Sequence, residues 1–547
     1  MINEYIINDL SRRISPKRTG NLSDHLSQLK RKASKIHKLP CPTNIELLRT
    51  YRAMLKNGKI KENKAIEKVL TTKDIRTSSG VAVIAVLTKP YPCPGSCVYC
   101  PSEKNMPKSY LSNEPAVMRA ILTGFDPYGQ VSARIRSLNV TGHETDKVEL
   151  IVMGGTFSYL PEKYQEWFVS ECFRACNDGK LKMKNEKIKI KENHLEALQK
   201  RNEKSKHRIV GLTLETRPDY IDEKEIIRMR KLGATRVELG VQSIYDDVLK
   251  LNKRGHGRAE VIKATKLLKD SGFKINYHMM PNLPGSNFKR DLQMFEEIFS
   301  NPDFQPDIIK IYPCVVVKNA EIYKWWKNGK YKPYSDKKLL DLLMEVKKNI
   351  PYYVRITRVI RDIPSTSIVA GNKISNLRQV LEKRSGEENW RCKCIRCREI
   401  RNNFVPLDKG GSRGVGNVEL HLLRQDYEAS QGKEIFLSFE DNSRKNLYSM
   451  LRLRINDHEN KPAFPALKDS AIIREVHTYG KLVAVSAKSK RSPQHTGLGK
   501  KLMLEAERIA KKEFGLKKIA VISGVGVRNY YRKLGFKLKD GYMVKKI

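Results

Sequence analysis

The sequence predicts an α/β protein of more than one domain: a parallel sheet sheathed in helices, followed by a largely antiparallel β region. Three observations carry that prediction. The chain has 547 residues, more than one hydrophobic core usually organises. From about residue 76 to 360, apolar runs of strand length alternate with helical periodicity. From about 411 onward, short β-like segments follow one another with few helices between them. Hydrophobic residues make up 40% and charged residues 30%, a globular balance. Lys and Arg outnumber Asp and Glu by 105 to 60, a formal charge of +45. That excess points to a polyanionic partner, nucleic acid first and an acidic membrane surface second. No apolar run approaches the roughly 20 residues of a membrane span, and Met1–Leu10 lacks a secretory core and cleavage site. The expected location is the cytoplasm, where ten reduced cysteines favour metal ligation over disulfides.

Residues 1 to about 75 read as helical and basic, with Arg12, Arg13, Lys17, Arg18, Lys30, Arg31, Lys32, Lys35 and Lys38 crowded together around a break at Ser15–Gly20. Such a region suits phosphate binding. The first strand is Val81–Leu87. Pro90, Pro92, Pro94 and Gly95 then force a loop carrying Cys93, Cys97 and Cys100, spaced C-x3-C-x2-C. Three thiolates on one loop suit an iron–sulfur cluster, whose cubane form normally takes four, so one iron is left for a small molecule. A zinc knuckle or buried free thiols is the competing reading. Further strands are expected at Val148–Met153, Ile209–Leu214, Val237–Val241, Ile275–Met279, Ile308–Tyr312 and Val354–Val359. Helices are expected at Glu162–Ala175, Glu223–Leu232, Arg258–Ser271 and Lys289–Phe299. Ligands gather at the carboxyl ends of such strands. Those ends read Gly154-Gly155-Thr156, Glu215-Thr216-Arg217, Gln242-Ser243 and His278-Met279-Met280-Pro281, a series that marks a site. Leu181–His207, rich in Lys, Glu and Asn, reads as an exposed helical insertion.

From about 361 to 410 periodicity weakens. Cys392, Cys394 and Cys397 there suit a zinc ion, with Cys314 as the expected fourth ligand and His421 as a weaker one. Arginines around them, among them Arg391, Arg396 and Arg398, would make a metal-pinned loop a phosphate contact. Cys41, Cys172 and Cys176 read as structural; the last two share a helix face. Beyond 411, strands are expected at Glu419–Leu423, Glu434–Phe439, Leu451–Ile455, Ile472–His477, Leu482–Ser486, Ile519–Ser523 and Tyr542–Lys545. Gln494-His495-Thr496-Gly497-Leu498-Gly499-Lys500 then opens a helix striped by Leu502, Ala506, Ile509 and Ala510. Glycines at a helix N-terminus let amides approach a pyrophosphate.

The cysteine loop resembles the signature of radical S-adenosylmethionine (SAM) enzymes. The strand Arg474–Thr478, the glycine cradle and Asn529-Tyr530-Tyr531-Arg532-Lys533-Leu534-Gly535-Phe536 resemble the acetyltransferase fold that binds acetyl-coenzyme A. Together with Ile151–Phe157, Glu215–Tyr220, Gly240–Ser243, Arg361–Pro364 and Ile522–Gly526, they make the chain from about 75 onward resemble the Elongator catalytic subunit family. The resemblance implies a partial (βα) barrel radical SAM domain and a mixed α+β GNAT domain. It divides the chain into a tRNA-binding region at 1–75, the radical SAM domain at 76–360, a cysteine-bearing linker at 361–410 and the GNAT domain at 411–547. It also implies an acyltransferase that modifies the wobble uridine of tRNA, placing a carboxymethyl group at C5 with carbon from acetyl-coenzyme A. A [4Fe–4S] cluster on Cys93, Cys97 and Cys100 would bind SAM. Gly154, Gly155 and Thr156 would receive its methionine end, with Glu215, Arg217 and Gln242 near its ribose and carboxylate. Amides of Glu475, Val476, His477 and Thr478 would pair with the pantetheine arm, and Gly497, Leu498, Gly499 and Lys500 would hold the pyrophosphate. Lys147 would touch the coenzyme from the radical domain, and Tyr531, with Tyr530 as second choice, would protonate the departing thiolate. A protein lysine acetyltransferase with a scaffolding radical domain is the alternative; a general base for the amine is not evident in the sequence, although Glu475 could be proposed. Association as a homodimer or larger complex stays open.

Overall fold

The computed structural model describes residues 2–13, 22–71, 77, 79–179, 194–400, 419–457, 462–480 and 497–547. Four helices open the chain: α1 (Ile2–Arg13), α2 (Leu22–His37), α3 (Asn44–Lys56) and α4 (Lys64–Leu70). They bury a core of their own that includes Ile6, Leu10, Leu26, Leu29, Leu47, Tyr51 and Leu70. Helix α3 starts at a capping box between Thr43 and Glu46, which satisfies two backbone donors at its end. On α2, Leu26, Leu29 and Ala33 face inward, while Arg31, Lys32 and Lys35 are exposed. Lys17 and Arg18 lie outside the described residues.

The next sheet is wholly parallel. It contains β1 (Ala82–Leu87), β2 (Lys147–Met153), β3 (Arg208–Thr216), β4 (Arg236–Gln242), β5 (Lys274–Met279) and β6 (Ile308–Ile311). A short antiparallel pair, β7 (Val316–Val317) with β9 (Ile368–Ala370), flanks β8 (Arg355–Arg358) in sequence. The order β1-β2-β3-β4-β5-β6-β8 never reverses, so the sheet curls into a half-barrel instead of forming a doubly wound sheet with a switch point. Its outer face is apolar: Val148, Leu150, Leu212, Leu214, Val237, Leu239 and Ile275 pack against the surrounding helices. The expected strands and helices of this half fall within one or two residues of those observed.

Two expectations are corrected here. The segment before β3 is not simply a solvated insertion: the helix His194–Asn202 buries Leu195 and Leu198 in the main core, because its apolar stripe meets the helix Glu162–Asn177. Residues 180–193 lie outside the described set. Cys41 is exposed, whereas Cys172 and Cys176 are buried as expected.

The C-terminal half is a mixed sheet of β10 (Leu420–Ala429), β11 (Gly432–Asp441), β12 (Leu447–Asn456), β13 (Ala471–Thr478), β14 (Lys518–Val521), β15 (Lys537–Lys539) and β16 (Tyr542–Lys546). The order is β10-β11-β12-β13-β14-β16-β15, antiparallel except for β13 with β14. That parallel pair is joined through the helix Leu498–Lys512. The strand expected at Leu482–Ser486 lies outside the described residues. β15 escapes sequence reading because its three residues are all exposed.

This half is docked on the N-terminal ends of the barrel strands. Arg474 donates to Asp307 at 2.9 Å, to Glu434 at 2.9 Å and to the Phe273 carbonyl at 2.6 Å. Lys269 lies 3.6 Å from Glu434, and Arg454 reaches both Glu434 and Asp270. Gly524 sits where a Cβ would come within 2.0 Å of the Val210 carbonyl oxygen, so backbone meets backbone there. Glu203, just after the corrected helix, accepts from Arg528 and Arg532 of the second half.

Candidate active sites at the two ends of the half-barrel

The cysteine loop closes the carboxyl end of the strands, here called the mouth. It is held by Val98 N–H donating to Asn252 O at 3.2 Å and Ile322 N–H donating to Val98 O at 2.8 Å. Arg254 reaches the Cys97 sulfur at 3.4 Å, and Thr156 lies 3.8 Å from that of Cys93. Burial pushes the Cys100 thiol up to about 11, with Cys97 adding to the effect and Arg361 opposing it. Gly154 and Gly155 have φ of +143° and +92°, and a Cβ on Gly154 would strike Thr88 Oγ1. Gln242 ends β4 with φ +70° at a break in register, a strained conformation for a residue with a side chain. Arg217 forks onto Asp219 at 2.9 and 2.7 Å, and Glu215 accepts from Tyr110 at 2.7 Å. The structure thus brings Gly154, Gly155, Thr156, Glu215, Arg217 and Gln242 to the end of the barrel that carries the three cysteines.

The other end, the floor, holds a cavity of about 490 Å³ shared by both halves. Lys147, Glu149, Arg236, Lys274 and Arg355 line it from the starts of barrel strands. Glu475, Val476, His477, Thr478, Gly497, Gly499, Lys500, Tyr530 and Tyr531 line it from the second half. β13 pairs with β14 only from Ala471 to Ile473, and the two strands then part. Residues 475–478 therefore present a strand edge to the cavity, ready to pair with a ligand's amides. Gly497, at φ +81°, caps the helix Leu498–Lys512, whose N-terminus favours phosphate. Leu498 is buried and does not line the cavity, so only its backbone is available there. Tyr531 is 6% exposed and packs edge-on against Phe536. The hydroxyl of Tyr530 lies 3.5 Å from where a Cβ on Gly499 would be, so Tyr530 is the tyrosine beside the cradle. Burial lowers Lys147 and raises both tyrosines. Gln494, His495 and Thr496 lie outside the described residues.

Burial alone would raise the Glu475 carboxyl, but Lys274 at 3.3 Å and Arg452 at 3.0 Å hold it at about 2. A carboxylate so paired is a poor base for a lysine amine.

A polar column joins the two ends. The lumen side of the strands carries Glu149, Arg236, Glu238, Asn276, His278, Lys310 and Glu215. Arg236 pairs with Glu149 at 2.5 Å. Glu238 accepts from Asn276 at 3.0 Å, lies 2.9 Å from His278 Nε2 and binds Lys310. His278 Nδ1 is 3.6 Å from Glu215. Sequence reading missed Arg236, Glu238, Asn276 and Lys310. The signal was present: Arg-Val-Glu-Leu and Lys-Ile-Asn-Tyr-His alternate polar and apolar residues, where a parallel strand buried on both faces would be continuously apolar.

The sulfurs of Cys392, Cys394 and Cys397 lie within 4.8 Å of one another. Zinc bonds of about 2.3 Å in tetrahedral array place sulfurs roughly 4 Å apart. The expected fourth ligand is corrected: Cys314 is buried in a separate apolar cluster with Val316 and Tyr331, because its N–H is tied to Pro281 O at 3.0 Å beyond β6. His421 faces Glu419 and is not part of the group either. Lys347 lies 3.8 Å from the Cys397 sulfur and supplies a buried positive charge. Among the described residues, Cys93, Cys97 and Cys100 do not form so tight a group.

Comparison with known proteins agrees with this geometry. The Radical SAM superfamily matches residues 91–298, the Radical SAM C-terminal domain residues 306–386 and the Acetyltransferase (GNAT) family residues 415–536. A tRNA uridine(34) acetyltransferase of Methanocaldococcus infernus is 47% identical over 532 residues, 95% of each chain. The Elongator complex protein 3 of Homo sapiens is 41% identical over 487 residues, 87% of this chain and 86% of its own. The chain belongs to the Elongator complex protein 3/tRNA uridine(34) acetyltransferase family. The solved structure of the archaeal Methanocaldococcus infernus Elp3 with an N-terminus deletion matches with a TM-score of 0.71 at 45% identity, covering 86% of this chain and 100% of that one.

Membership in this radical SAM family implies a [4Fe–4S] cluster and SAM, and the mouth fits them. Thr88 Oγ1, Arg217 Nη1 and Gln242 Oε1 are buried there without hydrogen-bond partners. Orphaned donors and acceptors around a thiol loop are what a polar ligand would satisfy. No helix of the described residues is long and apolar enough to cross a membrane.

Proposed function

We propose that the protein places a carboxymethyl group on C5 of the wobble uridine of tRNA, taking the carbon from acetyl-coenzyme A. The single observation that carries this reading is the floor cavity: coenzyme-binding elements of the GNAT half and the strand starts of the cysteine-bearing barrel line one space. In this reading Cys93, Cys97 and Cys100 hold the cluster, Gly154, Gly155 and Thr156 take the methionine end of SAM, and Glu215, Arg217 and Gln242 orient its ribose and carboxylate. SAM held by these residues would supply radical chemistry able to take hydrogen from the acetyl methyl group. At the floor, amides of Glu475 to Thr478 pair with pantetheine, Gly497, Leu498, Gly499 and Lys500 bind pyrophosphate, and Lys147 approaches the coenzyme. Tyr530, with Tyr531 behind it, protonates the leaving thiolate.

The two sites face opposite ends of the strands, about 20 Å apart at roughly 3.3 Å per residue along β2. The acyl group must therefore travel along the lumen, past the column from Arg236 to Glu215. The exposed basic face of α2 holds tRNA phosphates in the cytoplasm, and a zinc ion on Cys392, Cys394 and Cys397 pins Arg391 and Arg396 as further contacts. Zinc analysis of the purified chain should return one ion, lost on replacing Cys394 with Ser.

The deciding experiment is anaerobic turnover of the cluster-loaded protein with labelled acetyl-coenzyme A, SAM and tRNA, followed by nucleoside analysis. Labelled carboxymethyluridine is expected; uridine left unlabelled while SAM is cleaved overturns the reading.

A further inference from the structure

We propose that His477 is the general base that activates water against the acyl thioester, a catalytic role of its imidazole beyond the coenzyme contact of its backbone. The inference rests on acetyl-coenzyme A being the ligand of the floor cavity. Carboxymethyl transfer ends in thioester hydrolysis, which needs a group to take a proton from water, and the cavity offers few. Glu475 is engaged by Lys274 and Arg452, and Glu149 by Arg236.

His477 is among the residues that line the cavity, on the side shared with Glu475, Lys274 and Arg355. Its Nε2 lies 2.9 Å from the carbonyl oxygen of Ser79. A carbonyl cannot donate, so Nε2 carries the hydrogen, and in the neutral ring Nδ1 is the acceptor. Tyr479 packs over the ring at 4.3 Å between centroids and limits its rotation. This is the base-plus-orienter arrangement of nucleophile activation, with a backbone carbonyl as the orienting group. Burial lowers the imidazole pKa; Glu475 and the Ser79 carbonyl oppose that, and Arg355 and Lys274 reinforce it. The ring is accordingly neutral and able to accept at neutral pH.

In the step, the water oxygen bonds to the acyl carbon as Nδ1 takes a proton. The carbon–sulfur bond then breaks, the Tyr530 phenol gives its proton to the sulfur, and the proton held by the imidazolium restores the phenol. The products are a carboxylate and a thiol, with one proton released to solvent; nothing is oxidised or reduced.

His477→Gln tests this, because the glutamine amide can still donate to Ser79 O but cannot take a proton from water. Thiol release from acetyl-coenzyme A is followed with tRNA present, beside binding of acetyl-coenzyme A and of tRNA. Expected is a fall in kcat of about 10²–10⁴-fold with both affinities held. The wild-type rate should also decline toward acid pH, and the variant should lack that limb. A variant as fast as wild type overturns the proposal, and so does one that loses coenzyme binding along with rate, which assigns His477 to packing. Wild-type protein that binds no acetyl-coenzyme A sinks the coenzyme reading itself, a result distinct from either.

Discussion

The two ends of the half-barrel are built in opposite ways. At the floor, ion pairs dominate, Arg474 with Asp307 and Glu434, Arg452 with Glu475, Arg236 with Glu149, although Arg236 Nε, Lys269 Nζ, Arg452 Nη1 and Arg474 Nε make no hydrogen bond. At the mouth, Thr88, Arg217 and Gln242 each keep a buried polar atom without a partner, and Gln242 holds a strained backbone. The floor is thus crossed by an ion pair from the second half, Arg474 to Asp307, whereas the orphaned groups of the mouth surround the cysteine loop. The strand ends carry the cysteine loop, whereas the strand starts carry both the seam between the halves and the second cavity.

Four changes would break or sharpen that contrast. Cys97→Ala should have the largest effect: cluster iron and SAM cleavage are lost, while acetyl-coenzyme A binding at the floor, followed by calorimetry, is unchanged. Loss of coenzyme binding as well would mean the two ends are not independent. Arg474→Met should cost about 3–5 kcal/mol, since it leaves Asp307 and Glu434 buried with fewer cations; thermal unfolding should separate into two transitions.

A third change is in pH. Glu475, held at about 2 against an ordinary 4.5, favours the folded state fully above pH 4.5. That contribution, roughly 3 kcal/mol, declines as pH falls from there toward 2. Denaturant titrations of wild type and Glu475→Gln should therefore converge in acid; parallel curves would show that the pair does not set this dependence. The smallest stability effect, about 1–3 kcal/mol of overpacking, is expected for Asn276→Phe in the lumen. Its value is functional: SAM cleavage and thioester hydrolysis should both persist while modified uridine disappears. Retained modification would exclude the lumen as the route.

Much of this was legible in the sequence. The apolar runs that became β1 to β6 and β8 are short, bounded by glycine and proline, and separated by helices of clear period, so local pattern and tertiary fold agree. The mouth was legible because its residues cluster at strand ends next to the cysteines. The lumen was not, because Glu238 and Lys310 are far apart in sequence and each looks like an ordinary charge on a strand. The fourth zinc ligand failed for a related reason. Thiol chemistry nominated Cys314, but the turn after β6 carries it into another apolar cluster, and spacing alone cannot show that. Nor did sequence show that the coenzyme cradle faces strand starts and not strand ends, since that depends on how one domain seats on another.

The ion cluster of Lys269, Asp307, Glu434 and Arg474 also constrains how such a protein can change over time. Each half supplies charges that the other helps to neutralise: Arg474 reaches Asp307, and Lys269 reaches Glu434. Severed, the acetyltransferase half would expose Arg452, Arg454 and Arg474, and the barrel would keep Asp307 and Lys269 on a bare rim. A charge removed on one side of the seam leaves its partner on the other side buried and unmet.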